Sequence, residues 1–105
     1  MTILRKVLVN KQVSCKSVWF MRQAGRYLPE FRKIRSNNTN FINLCLNSNL
    51  SSEITMQPIH RYDLDAAIIF SDILMVPYAL GQNVEFIKDK GPILDKFSLE
   101  KFLDN

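Results

Sequence analysis

The chain has little that could hold a metal. It contains one histidine, His60, and two cysteines, Cys15 and Cys45, which lie far apart and in no Cys-x-x-Cys pair. A zinc centre needs three or four such ligands placed together, so no metal site is expected. Neither cysteine has the neighbouring cation and histidine that mark a thiolate nucleophile. Two unpaired cysteines suit a reducing compartment, and a cytoplasmic protein is expected. Long apolar runs are also lacking. The longest, Ala66 to Leu80, is broken by Asp72 and Pro77, and it is too short and too polar to span a bilayer. Arg5 and Lys6 are followed by only a short apolar patch, which is not a signal peptide. There is no internal repeat and no low-complexity segment. RNP-like, zinc-finger and basic-zipper patterns are absent as well, so the net charge of +4 is not that of a common nucleic-acid module.

With 105 residues, 47% of them hydrophobic, the chain can bury a core and forms one domain at most. Its positive charge is local: Arg22, Arg26, Arg32, Lys33 and Arg35 cluster with only Glu30 opposing them. A small polyanion fits such a cluster at least as well as nucleic acid does. Within it stands Val18-Trp19-Phe20-Met21-Arg22-Gln23-Ala24-Gly25-Arg26-Tyr27-Leu28-Pro29-Glu30. Here an apolar, strand-like run gives way to a turn with two arginines flanking a glycine. Guanidinium forks suit carboxylates and phosphates, and Gly25 permits backbone shapes that a side chain would block. An arginine paired with a nearby carboxylate is the plainer alternative.

Along the chain, apolar residues at Ile3, Leu4, Val7 and Leu8 predict an amphipathic helix over 3–9. Ser17 to Ala24 reads as a buried strand. Pro29 suits the first turn of a helix carrying Phe31, Ile34 and Arg35, stopped by Asn37-Asn38. Thr39 is the expected cap of a short helix with Phe41, Leu44, Cys45 and Leu46. Ser51 and Ser52 offer a cap for a helix from Glu53 to Tyr62, in which Pro58 should cause a kink or a shortening. Asp63 and Asp65 end it. The continuous apolar run Ala66 to Phe70 suits a parallel strand covered on both faces, closed by Ser71-Asp72. Ile73 to Leu80 reads as helical or irregular up to Gly81. Val84 to Ile87 is a strand, Gly91-Pro92 a turn, and Phe97 to Leu103, capped by Ser98, a last helix. This order is that of an α/β parallel fold.

In a parallel sheet, strands 18–24 and 66–70 would end on one edge, where α/β proteins place their sites. Arg22, Arg26 and Asp72 would then converge. The alternatives for Asp72 are a cap for the helix from Ile73 and a salt bridge with Arg22. His60 reads as a surface residue, Tyr27 as a ligand contact or a packing residue, and Met21, Met56 and Met75 as core filling.

The run from Val18 to Glu30 resembles the N-terminal signature of the uroporphyrinogen decarboxylase family. Asp65-Ala66-Ala67-Ile68-Ile69-Phe70-Ser71-Asp72-Ile73-Leu74 is similar to that family's second characteristic segment, and Phe41-Ile42-Asn43-Leu44-Cys45 and Thr55-Met56-Gln57-Pro58 also match. The resemblance covers about residues 17 to 92. It implies a cytosolic, cofactor-free decarboxylase of haem biosynthesis that acts as a homodimer on uroporphyrinogen III, with no nucleic acid or membrane partner. It implies an α/β fold, the N-terminal part of a (β/α)8 TIM barrel, here too short to close: one incomplete domain over residues 1–105. It implies that Arg22, Gln23, Ala24, Gly25 and Arg26 line the wall that grips substrate carboxylates. It further implies that Asp72 accepts hydrogen bonds from the pyrrole N–H groups, and that Arg22 holds or protonates the reacting arm. Ser17 departs from the family's usual proline, and Asp89-Lys90 from a glycine-richer turn. The family runs to roughly three times this length, as a closed barrel requires, and its downstream tyrosine, serine and histidine are not in this chain. Three readings follow: the N-terminal portion of the decarboxylase, inactive alone; a non-catalytic tetrapyrrole- or anion-binding remnant; or a basic nucleic-acid binder with salt-sensitive affinity.

Overall fold

The computed structural model describes residues 2–10 and 14–103. Its elements are α1 (Ile3–Asn10), α2 (Pro29–Asn37), α3 (Phe41–Leu46), α4 (Ser48–Tyr62), α5 (Met75–Ala79), β1 (Val84–Ile87), β2 (Gly91–Leu94) and α6 (Leu99–Leu103). The chain is therefore mixed α and β.

The core sits where α2, α3 and α4 meet. Leu28, Phe31, Leu44 and Ile54 are buried there, with Ala24, Ile34, Phe41, Leu50 and Phe70 packed around them. Proline opens α2 as expected, and Leu28 before it is extended (φ −81°, ψ 126°), the conformation that a following proline enforces. The Asn40 side chain caps α3 by accepting from Asn43 N at 3.0 Å, so the cap lies one residue beyond the expected Thr39; asparagine is the stronger cap of the two. Asn47 likewise caps α4 by accepting from Leu50 N at 3.1 Å. This helix begins well before the predicted Glu53, and Ser51 lies inside it rather than at its start. Pro58 is buried within α4, which runs unshortened to Tyr62 and ends on Asp63 in the left-handed region (φ 52°, ψ 45°).

The two predicted parallel strands do not form a ladder among the described residues. Residues 17–20 and 66–69 are irregular, and 21–27 form turns. The predicted burial is reversed too: Met21 is 82% exposed and Ile69 74%. The physical reason lies in where the backbone bonds go. Ser51 Oγ donates to Phe70 O at 2.6 Å, and Phe70 N donates to Thr55 Oγ1 at 2.7 Å. Two hydroxyls of α4 thus satisfy both main-chain groups of Phe70, the task a neighbouring strand would otherwise perform. Continuous apolar runs signal strands covered on both faces, and here the covering elements are not among the described residues. The sheet that is present has two strands, β1 and β2, antiparallel from Val84↔Leu94 to Ile87↔Gly91. Gly91-Pro92, predicted as a turn, opens β2. The turn falls one step earlier, with Asp89 at φ 65° and Lys90 N bonded to Ile87 O at 3.2 Å. Pro92 is tolerated because a two-stranded sheet is all edge.

Aromatic rings link the sheet to the helices. Phe41 lies 4.8 Å from Phe86 and 6.1 Å from Phe70 between centroids, and Phe31 lies 5.6 Å from Phe70. Even so, the chain is open. Its accessible surface is 8521 Å², against about 6,100 Å² for a compact monomer of this mass. Its radius of gyration is 17.5 Å, against about 13 Å for a compact chain of this length. Exposed large apolar residues include Phe20 and Met21 in the first predicted strand and Ile68 and Ile69 in the second.

Gln57 is a local cost. It is only 8% exposed, yet neither of its amide atoms has a hydrogen-bond partner. Gln57→Met keeps the shape and removes the unsatisfied polar atoms, and it is expected to stabilise the chain by about 1–2 kcal/mol. Thermal unfolding followed by circular dichroism checks this; a lower midpoint would show that the amide is satisfied in solution.

Candidate anion-binding site

Arg22 and Arg26 lie on the turn 21–27, and several bonds fix its shape. Gln23 N donates to Phe20 O at 3.2 Å and Leu28 N to Gly25 O at 3.0 Å. Gly25 adopts φ 152° with open space where a Cβ would stand, so backbone conformation rather than crowding calls for glycine there. The Tyr27 hydroxyl donates to Gln23 O, and its ring stacks on Tyr62 at 6.5 Å. Arg32 Nη1 donates to Arg26 O at 2.9 Å and Tyr27 O at 3.1 Å.

The basic cluster therefore divides in two. Arg32 clips the turn, while Arg35 donates to Asn38 O and Thr39 O and sits 5.6 Å over the Phe41 ring. Both cations do structural work. Arg22 and Arg26 are exposed, and their guanidinium groups have no protein partner among the described residues. Glu30, the acid within the cluster, is taken by Arg61 in a two-pronged pair at 2.9 and 2.8 Å, which joins α2 to α4. That bond holds the Glu30 carboxyl below its ordinary range and the Arg61 guanidinium above its own.

Asp72 is half-buried. Its Oδ1 accepts from Leu74 N at 2.9 Å, closing a turn ahead of α5. The carboxylate thus caps a turn, three residues before Met75 starts the helix. It forms no ion pair with Arg22, the only salt bridge among the described residues being Arg61–Glu30. Burial, and after it the Asp72 charge, push the Cys45 thiol up.

The segments that carry these groups lie side by side. Val18 N donates to Asp65 Oδ2 at 2.8 Å, Asp65 N donates to Val18 O at 3.2 Å, and Gln23 Nε2 donates to Ala66 O at 2.9 Å. Two side-chain bonds and one main-chain bond, rather than a ladder, thus tie Val18 and Gln23 to Asp65 and Ala66. Gln23 is buried, Ala24 packs on the core, and His60 is exposed. The sequence reading did not single out Asp65, Ser51, Thr55 or Arg32 as the ties; the only signal was that each is a polar residue beside an apolar run. Two shallow clefts, one between α3 and β1 and one around Gly81 and Phe97, are not lined by Arg22, Arg26 or Asp72.

These features define a class: a mixed α and β chain that presents an arginine-bearing turn beside a carboxylate-bearing segment. More narrowly, the chain belongs to the uroporphyrinogen decarboxylase (URO-D) family, whose profile matches residues 2–103. It is 53% identical over 93 residues to a uroporphyrinogen decarboxylase of Agrobacterium fabrum, a match spanning 89% of this chain and 27% of that protein. It is 50% identical over 97 residues to that of Maricaulis maris, spanning 92% and 28%. To that of Rickettsia canadensis it is 60% identical over 80 residues, spanning 76% and 24%. The chain thus matches about a quarter of the length of these relatives.

Proposed function

We propose that the chain is the N-terminal part of a uroporphyrinogen decarboxylase. It forms a single incomplete domain over residues 1–105 and supplies the first segments of a (β/α)8 TIM barrel that it is too short to close. The completed enzyme removes carbon dioxide from the four acetate arms of uroporphyrinogen III and yields coproporphyrinogen III, with no cofactor. It works as a homodimer in the cytoplasm and needs neither nucleic acid nor membrane. No helix among the described residues is long and apolar enough to cross a membrane.

The observation that carries this reading is the family match over residues 2–103, with the arginine turn tied to the segment that leads to Asp72. Arg22 and Arg26 have guanidinium groups free to grip the carboxylates of a many-armed acid, which charge-assisted bonds bind most strongly. Gln23, Ala24 and Gly25 belong to the same wall. Protonating a pyrrole ring makes it an electron sink. The electron pair of the breaking C–C bond flows into that ring as carbon dioxide leaves; a proton then adds to the arm's carbon, and the ring gives its own added proton back, so the pyrrole is restored with one proton taken up overall. A fixed Asp72 carboxylate stabilises the cationic ring before the bond breaks, and Arg22 holds the reacting arm.

The test is a coproporphyrinogen assay on the chain alone and on the chain mixed with a polypeptide covering the rest of a relative. No turnover is expected alone, and turnover is expected on mixing. Porphyrinogen binding that never becomes turnover, even with the complement, would favour a non-catalytic binding remnant. Salt-sensitive binding to DNA or RNA that ignores Asp72 would favour a nucleic-acid binder.

A further inference from the structure

We propose that Gln23 is a positioning residue rather than a ligand contact: it locks the turn that carries Arg22 and Arg26 to the segment that carries Asp72. The inference rests on the site proposed above and reassigns one of its members.

The argument starts from how the amide is used. Gln23 is 7% exposed. Its Oε1 accepts from Phe20 N at 3.0 Å, and its Nε2 donates to Ala66 O at 2.9 Å. Both ends of the amide are therefore committed to backbone groups inside the protein. Gln57, equally buried, has neither end committed, so burial alone does not produce such a pattern. The bond to Ala66 spans 43 residues of sequence, while the bond to Phe20 spans three. A reciprocal pair between Val18 and Asp65 makes a second tie close by. A single tie leaves two segments free to swing about it; two ties set their relative direction. Beyond Ala66 the path to Asp72 is short, and Phe70 on that path is pinned at both main-chain groups by Ser51 and Thr55. On the other side, Tyr27 holds Gln23 O and Arg32 holds the carbonyls of Arg26 and Tyr27. Gln23 is thus the hinge pin between two braced pieces. A loose pin would leave both arginines and Asp72 chemically intact but wrongly spaced, and sites of this kind lose function over about 1 Å of misplacement.

The experiment uses the 15N-labelled chain, amide hydrogen exchange, and uroporphyrin as an octacarboxylate probe. Gln23→Met keeps the bulk and deletes both bonds. It should speed exchange of the Phe20 amide and shift the Leu74 amide signal, which reports Asp72. Uroporphyrin affinity should fall by about tenfold, the scale of one or two lost hydrogen bonds. Amides of α2 to α4 should be unchanged. Arg22→Ala should weaken binding and leave Phe20 and Leu74 alone. If Gln23→Met weakens binding while Phe20 and Leu74 are unmoved, Gln23 is a ligand contact and the proposal fails; it also fails if nothing changes. Should Gln23→Met unfold the chain, Gln23→Glu decides. It retains an acceptor for Phe20 N but opposes a carboxylate to Ala66 O, so Phe20 should stay protected while Leu74 shifts; an unshifted Leu74 sinks the inference. If the unaltered chain binds no uroporphyrin, the reading of the site fails, and the two amide readouts still judge Gln23.

Discussion

Asp72→Asn is expected to lower the decarboxylation rate of the complemented enzyme by about a hundredfold or more, the scale of a lost preorganised contact to developing charge. The substitution is nearly isosteric. Its remaining carbonyl oxygen can still accept from Leu74 N, now 2.9 Å from Oδ1, so the turn before α5 should persist. What disappears is the negative charge proposed to stabilise a cationic pyrrole. Arg22→Ala, by contrast, removes a cation from the proposed binding wall and should raise KM as well as slow the reaction. Cys45 supplies an internal check on where the charge sits, because the Asp72 carboxylate helps to raise that thiol. Once the charge is gone, the Cys45 pKa should fall and alkylation should quicken at a fixed mildly alkaline pH, measured in a Cys15→Ser background. A full decarboxylation rate in Asp72→Asn would remove this residue from the chemistry, whatever Cys45 does.

Local signals in the sequence were reliable where they act within a turn or two of the chain. Pro29 opening α2, the pair Asn37-Asn38 stopping it, Asp63 ending α4 and Val84–Ile87 forming a strand all rest on short-range sterics and capping, and all are seen in the structure. The caps of α3 and α4 were misplaced because serine, threonine and asparagine compete for one role, and the neighbouring geometry decides among them. The larger departure concerns Ser17–Ala24 and Ala66–Phe70. Their apolar patterns record an environment buried on both faces, and pattern reading has no way to know whether the covering elements are at hand. The ties that replace the ladder, Ser51, Thr55, Asp65 and Gln23, are ordinary polar residues whose partners lie 15 to 47 positions away. No spacing rule reaches that far. The arginine pair and Asp72 were legible as chemistry, and which arginines of the cluster stay free became visible only with the backbone contacts of Arg32 and Arg35.

Ile54→Ala is expected to abolish the cooperative thermal transition of the chain. Ile54 is 0% exposed and sits in the cluster of Leu28, Phe31 and Leu44; truncating such a residue costs about 2–5 kcal/mol in transfer and cavity terms. A complete domain has about 5–15 kcal/mol in hand, and a chain that leaves this much apolar surface in water has less. Circular dichroism should show a broad, non-cooperative melt, while a sharp transition near that of the unaltered chain would mean that stability resides elsewhere. Ile69→Ser makes the contrast. At 74% exposed, Ile69 contributes little to the isolated chain, and its replacement should leave the melt unchanged. Mixed with the complement, the order of effects should reverse for this residue: if Ile69 lines an interior that only the rest of the barrel closes, a serine there should weaken assembly even though it spares the chain alone. Assembly that proceeds equally well with Ile69→Ser would mean that this apolar run is not a face awaiting cover.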